Sequence, residues 1–398
     1  MNAPAPTGLT ISPPPWMLAA VAFVSALGPF AIDMYLPALP QMAEALDAPG
    51  SLLQMTITAY LIGLAIGPLF LAPLSDAFGR RPVQTGFMAG FGLVSAGCAM
   101  APTAEALVAL RVLQALAAGT IMASMRAMLS DVYRGDALSR ALSVVMAMFT
   151  AAPIVAPVLG AKLLAVGDWR WIFWALVGIS AISTTLAALL PETLAPVRRV
   201  AYRPRAVVVG YLDILSRPPA RRYLASTFAF AAMFFAMLAA SPFIFIDHFG
   251  LSVEAFGYVF AAISAFAIVS NFVNARLVFR FGYDGMLRGA TVGLCLLAAA
   301  MGAVAATGFG GVWGVFAAMV WIMGDYHVSI ANTLAGLMAT AGERAGAASA
   351  ALTFFRFTGG AVGTAAVGAF GSSAPWPFAV VLCASAAGAA LALRIGRG

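Results

Sequence analysis

One feature constrains this chain more than any other: apolar runs of about twenty residues recur along its whole length. Windows fall at 17–39, 52–74, 84–103, 105–130, 141–164, 171–190, 223–246, 254–276, 286–306, 311–338, 347–370 and 376–394. About twenty residues is the length that lets an α-helix cross a hydrocarbon layer of roughly 30 Å. In such a layer every backbone group must be satisfied internally, so each run is expected to be a helix. Composition agrees. Hydrophobic residues make up 62%, charged residues 9%, and mean hydropathy is +0.96. A soluble domain carries about 25% charged residues, so this chain cannot cover a water-facing surface. A soluble enzyme, a disordered chain and a secreted disulfide scaffold are excluded. The expected fold is all-α and membrane-integral, with twelve transmembrane helices in two pseudo-symmetric six-helix bundles.

The loops are short with one exception. Residues 191–222 hold five prolines and seven arginines. This shift divides the chain into a tail (1–16), an N-terminal bundle (17–190), a central loop (191–222), a C-terminal bundle (223–394) and a second tail (395–398). Arg80, Arg81, Arg134, Arg140, Arg276, Arg280, Arg288, Arg344, Arg394 and the central arginines all fall at one end of the alternating spans; the other end receives little beyond Arg170. By the positive-inside rule both termini are then cytoplasmic. No Lys or Arg precedes Trp16, so the start is not expected to be a cleaved signal peptide. Phe78-Gly79 and Phe281-Gly282 end the second and eighth runs beside arginines, half a chain apart, as parallel repeats would. Cys98, Cys295 and Cys383 lie in apolar runs, and no disulfide is expected. With His248 and His327 the only histidines, no metal set can be assembled. No cofactor motif and no nucleic-acid surface is present.

A few polar groups stand inside the spans. Asp33 in the first span costs roughly 2.5–3.5 kcal/mol if charged at mid-membrane. It escapes that cost by facing a watery cavity, by pairing or by taking up a proton; a place at the outer interface is the plainer reading. Arg111 in the fourth span cannot shed its charge and must pair, with Asp33 as a candidate, or snorkel. Gln114 lies one turn on. Arg126, nearer the inner end, reads as a snorkeller. In the second half, Asp325 and Asn332 share a helix face, and Arg356 faces the central cavity or pairs with Asp325. His327 is either part of a proton relay or a hydrogen-bonded packing residue. Asp33, Arg111 and Asp325 are the candidates for proton coupling. The candidate substrate contacts are Asp33, Tyr60, Gln114, Met122, Phe234, Trp321, Asn332 and Arg356. Phe149, Phe266 and Phe357 are among the other bulky residues of these spans; for each, packing is the bland alternative.

Three strings carry a family resemblance. Leu74-Ser75-Asp76-Ala77-Phe78-Gly79-Arg80-Arg81-Pro82 resembles the signature loop of the major facilitator superfamily, with Ala72 and Ala77 where Gly and Arg are usual. Asp33-Met34-Tyr35-Leu36-Pro37-Ala38-Leu39-Pro40 is similar to the first span of the bicyclomycin and chloramphenicol resistance subfamily of drug:proton antiporters. Arg111-x-x-Gln114 resembles a fourth-span pattern implicated in proton transfer, with Ala115 for the usual Gly. Around Pro153, Pro157 and Gly160 the fifth span resembles the antiporter motif, with Ala156 and Ala161 replacing glycines. The resemblance implies that Asp76, Gly79, Arg80 and Arg81 form a conformational latch. It also implies a monomer in the bacterial inner membrane, surrounded by lipid, that moves a small molecule against protons without a cofactor. A metabolite importer uses the same fold, and a non-transporting receptor is the rival of a different class.

Overall fold

The computed structural model describes residues 14–202, 204–371 and 373–395. Most of the two expected tails, and Arg203 in the central segment, lie outside them. The described residues form helices and no strand. Nine helices among them are long and apolar enough to cross a membrane.

The first run is not continuous. It forms α1 (Met17–Ser25), α2 (Leu27–Asp33), a 3-10 turn (Leu36–Ala38) and α3 (Leu39–Ala45). Pro29 and Pro37 explain the breaks, because each lacks the N–H that would bond four residues back. The break places Asp33 at the end of α2. There follow α4 (Gly50–Phe70), α5 (Leu74–Phe78), α6 (Arg80–Ala99), α7 (Ala104–Val132), α8 (Gly135–Val166) and α9 (Arg170–Leu189). The segment 191–222, read as a loop, contains α10 (Pro204–Ser216) and the first turn of α11 (Pro218–Pro242), which runs on into a π turn (Phe243–His248). The chain closes with α12 (Val253–Thr307), α13 (Gly311–Ala341), α14 (Ala345–Ala369) and α15 (Trp376–Ala392). α12 contains two of the expected spans and turns between them at Gly282, φ 66° and ψ 167°.

Helices of each half pack mainly on their own half: α4 on α7 and α6 on α9, then α12 on α13 and α11 on α14. The α4–α7 approach depends on Gly63 and Gly67, where a Cβ would lie 2.5 Å from the carbonyls of Val112 and Leu116. The halves meet chiefly along α4–α14 and α8–α12. One end of the molecule gathers Arg80, Arg134, Arg199, Arg217, Arg222 and Arg344; it is called the arginine-rich end below.

Candidate functional site

The N-terminal half is built around a cation. Arg111 on α7 is fully buried. Its Nη1 donates to Gln114 Oε1 at 2.6 Å, and Gln114 Nε2 donates to Ser95 Oγ at 2.7 Å. The guanidinium carbon lies 4.1 Å from the Tyr60 ring centroid, 4.7 Å from Tyr35 and 6.0 Å from Phe173. Nε and Nη2 have no hydrogen-bond partner. The tyrosines are themselves fixed: Tyr35 Oη lies 2.6 Å from Thr56 Oγ1, and Tyr60 Oη donates to Gly28 O. Ring faces therefore hold the charge, through cation–π attraction. The expected Arg111–Asp33 pair is not formed. Asp33 is 5% exposed and makes no ion pair among the described residues. Tyr60 is within electrostatic reach of both groups, and its ring occupies the place a carboxylate would hold. Gly160 of α8 packs on the chain just past Asp33, where a Cβ would sit 2.1 Å from Met34 O. Pro153 and Pro157 lie inside α8, and the Pro157 carbonyl abuts Gly257 of α12. This string is a packing surface.

The C-terminal half presents a second cation. Arg356 on α14 donates from Nε to Tyr326 Oη at 2.7 Å. Its guanidinium carbon is 5.6 Å from both the Tyr326 and Phe357 rings. Phe234 of α11 stacks on Tyr326, centroids 3.9 Å apart and planes within 4°. His327 stands edge-on to both rings, its Nδ1 2.9 Å from Met323 O. A carbonyl only accepts, so Nδ1 carries the proton. The Asp325–Arg356 pair is not formed either. Neighbouring side chains on a helix diverge by about 100°, and Tyr326 is the one turned to Arg356. Asp325 instead faces α12, with Oδ1 against Gly293 and Oδ2 without a hydrogen-bond partner.

Several other candidates do not join this group. Tyr60 and Gln114 are sealed inside the N-terminal half. Asn332 is buried and donates to Asn274 Oδ1 and Val328 O, bracing α13 against α12. Met122 packs its sulfur against Gly28. Trp321 is 61% exposed and edge-on to Phe266 on the outside of the molecule, which removes it from the cavity. Arg126 moves the other way. It is open to solvent, stands 6.0 Å from the Phe149 ring and is close enough to Arg356 for the two cations to repel. It faces the space between the halves and not an outer interface.

The signature loop is tied to its own half. Arg80 pairs with Asp76 at 2.6 Å and with Asp131 at 3.0 Å, and donates to Ser75 Oγ. Glu192 accepts from the backbone N–H groups of Arg80 and Arg81, capping α6. The Arg81 side chain is exposed and only its backbone takes part. Gly79 turns at φ 106°. Asp131 and Glu192 went unnoticed in the sequence because each lies far along the chain from the loop it serves.

Contacts between the halves cluster at the end opposite the arginines. Thr58 and Thr364 hydroxyls lie 2.7 Å apart, Gln54 donates to Ala239 O, and Gly257 packs on the carbonyl of Pro157. Farther along the same helices, a cleft of about 450 Å³ separates α8 at Ala147, Thr150 and Ile154 from α12 at Ile268, Asn271 and Ala275.

The sequence matches the Major Facilitator Superfamily over residues 21–364. A bicyclomycin resistance protein homolog of Haemophilus influenzae is 28% identical over 351 residues, 86% of each chain. A chloramphenicol resistance protein of Pseudomonas aeruginosa is 31% identical over 396 residues, 95% of this chain and 91% of its own. Among solved structures, a bacterial homolog of the human lysosomal transporter Spinster, inward-facing and occupied, has a TM-score of 0.73 at 13% identity over 95% of both chains, a likeness of fold. This chain is therefore a polytopic membrane transporter and not an enzyme, and it belongs to the major facilitator superfamily, in the branch that holds the bicyclomycin and chloramphenicol resistance proteins.

Proposed function

We propose that the chain is a proton-driven exporter of small, largely apolar drug-like molecules. It works as a monomer in a bacterial inner membrane, by alternating access between two six-helix bundles, 17–190 and 223–394. In this reading the arginine-rich end and both termini are cytoplasmic, so the molecule closed at its Thr58–Thr364 end is poised to take cargo from inside. The observation that carries the proposal is the buried carboxylate of Asp33 with no cation paired to it, next to the fixed charge of Arg111. A carboxylate so placed is costly when ionised and takes a proton readily. Ionised, it is drawn toward the Arg111 cage. The two states of Asp33 therefore favour different arrangements around α2, and the proton shifts the equilibrium by its differential affinity for them. Asp325, likewise unpaired, is a second candidate. The Phe234–Tyr326 stack, Phe149 and Phe357 supply an apolar wall for cargo.

The test is flux in proteoliposomes under an imposed pH gradient, with phenicols, cationic dyes and small metabolites as cargo. Movement of cargo opposite to protons, lost in Asp33→Asn, is expected. Cargo moving with protons would make the chain an importer. Binding without flux of any compound would make it a receptor.

A further inference from the structure

We infer that the cargo carries an acidic group, bound between Arg126 of the N-terminal half and Arg356 of the C-terminal half. This rests on the export reading for the word cargo and adds the chemical class. Two guanidiniums from opposite halves face one space, near enough to repel. Neither takes part in an ion pair: the pairs among the described residues use Arg80, Arg170, Arg217, Arg222 and Arg344. The carboxylates within the spans are placed elsewhere, Asp33 beyond Tyr60 and Asp325 against α12. Neither arginine can lose its proton, so the space holds two fixed positive charges with no internal counter-charge.

The donors suit an oxyanion. Arg356 commits Nε to Tyr326 Oη, which leaves both Nη groups available. Tyr326, having accepted that bond, keeps its own hydroxyl proton to donate. A carboxylate, sulfonate or phosphonate accepts from such a planar fork through two oxygens. The Phe234–Tyr326 stack and the Phe149 and Phe357 rings then flank the body of the molecule. The pattern fits an aromatic organic acid and rejects a cation. It also links binding to motion. Empty, the two arginines push the halves apart; an anion between them removes the repulsion, and the halves can close over it.

Three probes of one shape test this: 1-naphthoate, its neutral amide and 1-naphthylmethylammonium. Equilibrium dialysis against the purified full-length protein is expected to show naphthoate bound at least about tenfold more tightly than the other two. Arg126→Gln and Arg356→Gln are each expected to weaken naphthoate binding about tenfold, and the lysine variants to retain most of it. The wild-type comparison stands even if a variant fails to fold. Equal binding of all three probes, tightest binding of the cation, or folded glutamine variants that bind naphthoate like wild type would each overturn the inference. Flux under a pH gradient is read alongside for naphthoate and for neutral chloramphenicol. Chloramphenicol moved while naphthoate neither binds nor moves sinks the acidic-group inference and leaves export standing. Naphthoate bound while neither compound moves sinks export and leaves the anion site.

Discussion

Arg111 is gripped by ring faces and one amide, and this makes Gln114 a structural partner of the charge. Gln114 passes the load from Arg111 to Ser95 on α6. Removing its oxygen strands a third donor on a guanidinium that already leaves Nε and Nη2 unbonded. Gln114→Leu is expected to cost about 1–3 kcal/mol and to lower the melting temperature of the detergent-solubilised protein. Gln114→Glu keeps the acceptor and is expected to retain stability. Unchanged melting of the leucine variant would mean that the chain of bonds carries no stability. The importance of Arg111 and Gln114 was legible, because polar groups in an apolar run must have partners. Their cage was not, since Tyr35 and Tyr60 arrive from other helices. Arg126 and Arg356 look alike in the sequence, single arginines in apolar runs. Depth separates a snorkelling side chain from a cavity-facing one, and depth depends on where the helix ends; α7 runs six residues beyond Arg126.

At the scale of elements, the two halves turn in the same way between successive helices. Gly79 (φ 106°) precedes α6, and Gly282 (φ 66°) breaks α12. Both sit where an L side chain is strained, at about 1–3 kcal/mol. Only the first is crowded: a Cβ on Gly79 would lie 2.5 Å from Glu192 Oε2, whereas nothing lies within 4 Å of one on Gly282. Gly79→Ala therefore adds strain and displaces the carboxylate that caps α6, while Gly282→Ala adds strain alone. The first variant is expected to melt lower than the second, and Glu192→Ala, which removes only the cap, to cost about 0.5–2 kcal/mol. Equal melting of the two glycine variants would show that Glu192 yields without cost. The apolar runs announced the helices because their length is set by the layer they cross. The prolines were harder to read. In 191–222 they suggested a loop, yet Pro204 and Pro218 each occupy the first turn of a helix, where the missing N–H costs nothing. In the first run Pro29 and Pro37 act the other way and divide a helix that hydropathy alone leaves whole.

The whole molecule is held shut at one end by few groups. The Thr58–Thr364 hydrogen bond joins α4 to α14, and Gln54 reaches Ala239 beside it. The α8–α12 cleft opens toward the other end. No spacing in the sequence reveals such a seal, because it depends on the position of one half against the other, and that position changes during transport. Rocking of rigid halves requires Thr58 and Thr364 to separate when cargo leaves. Their oxygens lie 2.7 Å apart, so cysteines at the two places need little movement to reach a disulfide length of about 2.05 Å. In a background with Cys98, Cys295 and Cys383 replaced by serine, Thr58→Cys with Thr364→Cys is expected to transport when reduced. On oxidation it should lose most flux while still binding cargo from the arginine-rich end, and regain flux when the reductant returns. Each single cysteine variant is expected to ignore the oxidant. If mass analysis shows the bond formed and flux continues, this end does not part, and a rocking of two halves cannot be how the molecule works.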